Sequence, residues 1–182
     1  MPVLTPLEEI LDIVKVCHLW LEATMSDVSD AQAHFHPAGV ANPIAAVYAH
    51  VVLGSDSALH ELLLSRQPMA AAGATSIGLS ELTPGRSQDW HQWALRVHMD
   101  LPVFRAYAQD VYGSWYSYFA RTDEFDPGRT IDLTAWGMGT RSLVAFLLMQ
   151  IQHFSSHIGE ISALKGLQGN VGYHPGTADG IG

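Results

Sequence analysis

The chain has 182 residues, 48% of them hydrophobic, and 9 Lys and Arg against 18 Asp and Glu give a formal charge of -9 at pH 7. That length suits a single domain whose core needs no covalent staples, and the charge excludes polyanionic partners, so no nucleic acid and no membrane surface is expected among its ligands. One cysteine, Cys17, excludes an internal disulfide and agrees with a reducing, cytoplasmic location.

The N-terminus lacks a basic run before its first apolar stretch and meets Glu8 and Glu9 early, unlike a signal peptide. The first predicted helix spans residues 6–24, where Leu7, Ile10, Leu11, Val14, His18 and Leu21 recur at helical spacing. Pro6 suits its first turn, and the two glutamates suit the positive end of its dipole. A second helix is predicted over 43–66, with Asn42 as its N-cap. A short helical piece around 90–97 precedes a third long helix over 101–121, which places Phe104, Tyr107, Val111, Trp115 and Tyr118 on one side and is weakened by Gly113. The fourth spans 141–167, with Thr140 as cap and Gly169 as stop. Its apolar run from Leu143 to Met149 is far short of the ~20 residues of a membrane span.

Segments 26–42, 67–89 and 122–139 read as irregular, and no stretch shows sustained strand alternation. Four long helices, each with an apolar arc, must bury those arcs together. The expected fold is therefore all-α, a four-helix bundle over residues 1–168 with long connecting loops and a Gly-rich tail over 169–182.

Ten histidines beside two lysines are the compositional oddity. On the fourth helix Gln150, His153 and His157 form a polar column at the edge of the apolar arc, with Glu160 just outside it. A four-residue spacing stacks His153 and His157 on one face, where both can reach one point. Two readings follow: a hydrogen-bonded pair, or ligands of a divalent transition metal. His50, near the middle of the second helix, favours the metal, because Gly54 one turn later leaves room for an ion and its waters. Three imidazoles from two helices suit Zn²⁺, Ni²⁺ or Fe²⁺ and leave positions open, as in catalytic rather than structural sites.

The arrangement of His50, then His153-Phe-Ser-Ser-His157-Ile-Gly-Glu160-Ile, then Leu164-Lys-Gly-Leu-Gln-Gly-Asn-Val-Gly-Tyr resembles the DinB superfamily in helix order, helix length and fourth-helix motif. The resemblance implies a four-helix bundle of DinB-like topology, commonly a homodimer, with metal ligands at His50, His153 and His157. It also implies a metal-dependent S-transferase using a low-molecular-weight thiol, or a hydrolase of a small-molecule substrate, although many members have no known activity. Relatives often carry Arg after the last histidine and Gln after the glycine; Ile158 and Glu160 stand there in this chain. In the enzymatic reading the metal lowers the pKa of a thiol or a water, and Glu160 orients His157 or takes a proton. The alternative is a non-catalytic, stress-associated bundle with a vestigial histidine site, in which Glu160 is an exposed helix carboxylate.

The remaining histidines divide by position. His18 lies on the apolar face of the first helix and is expected as a satisfied core histidine or as an accessory to the site. His34 and His36 are loop residues, either closing over the site or lying on the surface. His60 points away from His50 and reads as solvated; His91, His98 and His174 offer no spacing argument. Cys17 is expected to pack, and the aromatics Tyr107, Trp115, Tyr116, Tyr118 and Phe119 to form core, part of it beside the metal.

Overall fold

A computed structural model of the chain describes residues 5–84, 89–121, 126 and 128–172. Residues 1–4, 85–88, 122–125 and 127, and the tail from 173 onward with His174, lie outside the described residues. The chain is mostly helical: α1 is Pro6–Met25, α2 Asp30–Ala33, α3 Ile44–Ser57, α4 Trp90–Ala94, α5 Leu101–Phe119 and α6 Leu143–Leu167. No described helix is long and apolar enough to cross a membrane.

Helix starts follow side-chain chemistry. Thr5 and Glu8 close a capping box at α1, and the Asp100 side chain accepts from Val103 N–H at the start of α5. Two expected caps are overturned. Pro43, which has no side chain able to cap, occupies the N-cap of α3, and the Asn42 amide instead meets the His91 ring at 3.3 Å. Thr140 is not the cap of α6 either; Ser142 is, accepting from Ala145 N–H. Thr140 belongs to a small antiparallel ribbon, β1 (Thr130–Asp132) paired with β2 (Thr140–Ser142). Three-residue strands are too short to show alternation in sequence.

The second predicted helix also ends differently. After Ser57 its ladder widens to the π register over Ala58–Leu63, with Leu64 N–H donating to Leu59 O five residues back.

The apolar arcs are buried as expected, and both α6 and α5 pack against α1 and α3. The α1, α3 and α5 layers are also tied by polar groups: Glu22 accepts from Tyr48 OH at 2.7 Å and Tyr112 OH at 2.9 Å. The end of α6 is fixed to α1 by Lys165, whose buried ammonium donates to Thr24 O and Asp27 Oδ1. Trp115 is anchored by its indole N–H donating to Ser55.

One glycine sets the angle at which the long loop enters α5. Gly78 has φ +79, its carbonyl accepts from Asp100 N–H at 2.8 Å, and a Cβ there would lie 2.9 Å from Asp100 O and Phe104 N. Gly78→Ala therefore combines a left-handed backbone with a clash against main chain. It should destabilise the protein by about 2–4 kcal/mol, read as a lowered midpoint in urea unfolding with an unchanged slope.

Candidate metal centre

His50 sits mid-way along α3, and His153 and His157 sit one turn apart on α6, the helix packed against it. The sequence geometry holds: the three ring centroids lie 4.7 to 5.0 Å apart pairwise. One nitrogen from each ring falls within 4.8 Å of the other two. The nearest pair, His50 Nε2 and His153 Nε2, is 3.0 Å apart. Two imidazoles on one tetrahedral zinc, with bonds near 2 Å, stand about 3.3 Å apart. The His50–His153 pair is therefore within tenths of an ångström of that spacing, and the His157 nitrogen, within 4.8 Å of both, completes a donor set of the right chemistry for a small divalent cation.

The protonation states fit as well. Burial holds the His50 imidazole below its ordinary pKa, and the His157 ring adds to that shift. Burial, followed by the two neighbouring rings, pushes His153 down to about 4. Both rings are neutral near pH 7, the form that binds metal.

Glu160 is not an idle surface carboxylate. Its Oε2 lies 2.7 Å from His157 Nδ1, and this hydrogen bond is the main reason its pKa falls below the ordinary carboxylate value. The bond places the proton on Nδ1 and leaves Nε2 of His157 as the lone-pair nitrogen, the usual second partner of a ligating histidine.

The cluster opens onto space. A cleft of about 560 Å³ is lined by His50, His153, Gly54 and Gln150 together with Leu53, Trp90, Trp136, Met138 and Met149. A smaller one of about 220 Å³ lies on the other side, against His50, His157, Glu160 and Trp93. Trp90 borders both and meets the His50 ring edge-on at 5.1 Å. A Cβ on Gly54 would stand 3.5 Å from His153 Cε1, so the missing side chain lets α3 and the ring approach closely.

The cleft walls correct one expectation. None of Tyr107, Trp115, Tyr116, Tyr118 and Phe119 lines it; Tyr107, Trp115, Tyr118 and Phe119 are buried in the core, where Trp115 donates to Ser55 of α3. The apolar wall comes instead from α4, within the short helical piece expected around 90–97, and from the turn Thr134–Trp136, in a stretch read as irregular. An isolated tryptophan in an irregular stretch was the available signal.

The other histidines lie elsewhere. His34 is in no contact with the cluster; its Nε2 accepts from Met99 N–H at 3.0 Å, its Nδ1 meets Asp30 O at 2.9 Å, and its ring stacks on His98. Asp30, His34 and His98 also lie close enough to suggest a cation site, but both His34 nitrogens are already used by main chain, so the group is a hydrogen-bonded loop clamp. His36 is exposed. His60, expected to be solvated, instead packs its Nδ1 2.7 Å from the fully buried Asp56. His18 is in the core as expected but is not satisfied: neither ring nitrogen has a hydrogen-bond partner among the described residues. Cys17 is buried packing, with burial raising its thiol pKa.

The helices thus bring together three imidazoles that could hold a metal ion. The sequence profile of the DinB superfamily matches residues 20–161. The chain belongs to that superfamily, whose members often bind metal. No curated protein and no solved structure matched the chain significantly.

Proposed function

We propose that this protein is a mononuclear metal-dependent enzyme of the DinB type, its long helices forming that family's four-helix bundle, with His50, His153 and His157 as ligands of zinc, nickel or iron(II). The reaction is transfer of a low-molecular-weight thiol or hydrolysis of a small substrate. The observation that carries the reading is the convergence of three imidazole nitrogens, with His50 and His153 in the wall of a cleft of about 560 Å³ and His157 in that of a smaller one. A structural site would be closed by a fourth protein ligand.

An ion held by His50, His153 and His157 would supply Lewis acidity, which lowers the pKa of a thiol or water. The chain's own residues do the rest. Glu160 is a positioning residue, fixing the tautomer and the plane of His157. Leu53, Trp90, Trp136 and Met149 bind the apolar body of the substrate and keep water from it, and Gln150, buried at the cleft wall, offers an amide to orient a polar group.

Metal analysis of the purified protein tests this. One ion per chain is expected, lost in His50→Ala and in His153→Ala, with Glu160→Gln weakening affinity about 10-fold or more. A chelator should lower the melting temperature and readdition of metal should restore it. A second reading, a non-catalytic bundle, is favoured by one observation: His50 and His153 can satisfy each other through their 3.0 Å contact without an ion. Under that reading no ion binds under any loading condition and the chelator leaves the melting temperature unmoved.

A further inference from the structure

A second cleft, of about 580 Å³, lies beyond the end of α3 and is independent of the histidine cluster. Its lining includes Arg66, Arg121 and His60. Cationic side chains are scarce in this chain, 9 against 18 acids, and most of those described are engaged. Arg105 donates to Met25 O, Arg129 to Leu63 O, Arg96 to Glu81, Lys15 to Asp12 and Lys165 to Asp27. Arg66 differs: its exposed guanidinium makes no side-chain bond among the described residues.

The backbone that presents these groups is irregular in three successive ways. The helix widens to the π register over Ala58–Leu63, Ser65 takes φ 53, and Arg66 N–H closes back on His60 O. A non-glycine residue in the left-handed region is unfavourable, and π turns and such outliers gather at functional sites. Beneath them Asp56, fully buried, fixes His60. Asp56 Oδ1 lies 2.7 Å from His60 Nδ1, and the same carboxylate accepts from Tyr107 OH and from the N–H groups of Met69 and Ala70. A carboxylate facing Nδ1 places the ring proton there, so Nε2 is the nitrogen left for a ligand.

We propose that this cleft is a binding site for a small phosphorylated molecule. Arg66 and Arg121 bind the phosphate, His60 Nε2 accepts from its P–OH group, and Leu64, Met69 and Tyr118 contact the apolar body. Asp110 also lines the cleft and repels an anion on its own side, which confines the phosphate to the arginine side. Donors arriving from the end of α3 and from the end of α5 suit a tetrahedral anion, which accepts from several directions; a planar carboxylate accepts in one plane.

The full-length protein titrated with inorganic phosphate, at ionic strength held constant with sodium chloride, tests the site. The His60 imidazole NMR signals, assigned with His60→Gln, should shift saturably. Arg66→Ala and Arg121→Ala should each weaken binding about 10-fold, with circular dichroism melting confirming that both variants fold. His153→Ala should leave the response intact, which separates this site from an anion held at the histidine cluster. The proposal is overturned if the shift fails to saturate, if acetate reproduces it at equal concentration, or if it persists unchanged in Arg66→Ala.

Discussion

Replacing His18 with Leu should make the protein more stable, and more so in acid than at neutral pH. The imidazole is 1% exposed, stacked on Tyr112 at 4.3 Å and against Phe154 at 5.0 Å, and neither nitrogen has a hydrogen-bond partner among the described residues. Leaving such a group unpaired costs about 1–3 kcal/mol, which a leucine of similar volume avoids. Desolvation also pushes the pKa of the ring from 6.5 down to about 3. In that interval the unfolded chain binds a proton that the folded chain refuses, so stability is full above pH 6.5 and falls as pH drops toward 3. Each pH unit well inside the window removes at most about 1.4 kcal/mol, so acidification from pH 7 to 5 should cost about 2 kcal/mol through His18. His153, pushed down to about 4, acts in the same direction and remains in the variant. Urea unfolding of both proteins at pH 7 and pH 5 checks this: the His18→Leu advantage should widen at pH 5. A variant that is less stable at both, with an unaltered pH slope, would mean that His18 has a partner in solution.

The fate of His18 marks a limit of sequence reading. Helical spacing placed it on the buried face of α1 correctly, because periodicity reports which way a side chain points. It could not report the partners, since those come from Tyr112 and Phe154 on other helices. The histidine cluster was legible for the opposite reason: His153 and His157 share one helix face, and the register of α3 against α6 then had only His50 to offer. Glu160 was visible as a neighbour one turn away, but its bond to His157 depends on rotamers that spacing leaves open.

The misses share a cause. Asn42 and Thr140 both have the side chains that caps require, yet tertiary contacts took them for other uses, a bond to His91 and a strand pair. Chain-order reasoning also missed the cleft wall. Trp90, Trp136 and Met138 come from short elements whose position is fixed by packing rather than by an amphipathic pattern. His60 was misjudged because Asp56, four residues before it on the same face, reads as a solvent-facing charge, whereas the fold buries that carboxylate against Tyr107 and the turn Met69–Ala72.

Asp56 is where the largest loss of stability should appear. Its carboxylate is 0% exposed and accepts from Tyr107 OH at 2.7 Å, Ala70 N–H at 2.9 Å and Met69 N–H at 3.1 Å, while the His60 ring, hydrogen-bonded to Asp56 O, lies 2.7 Å from Oδ1. They come from α5, from the loop turn Met69–Ala72 and from the π segment, so one side chain joins three elements. A buried carboxylate is retained only if its bonds offset desolvation, and removing it leaves each donor unpaired instead. Asp56→Ala should therefore cost about 3–5 kcal/mol, a large part of the 5–15 kcal/mol typical of a whole domain. Asp56→Asn keeps the shape but turns an amide N–H₂ toward other donors, so it should recover little of the loss. Tyr107→Phe alone should cost about 1–2 kcal/mol, and because both changes act on the same bond the double variant should cost less than their sum. Urea unfolding gives the magnitudes, and amide exchange adds the location: the Met69 and Ala70 N–H groups should lose protection before the core of α3 does. An Asp56→Ala protein within 1 kcal/mol of the parent would show that the loop and α5 are held by packing and that the carboxylate is incidental to the fold.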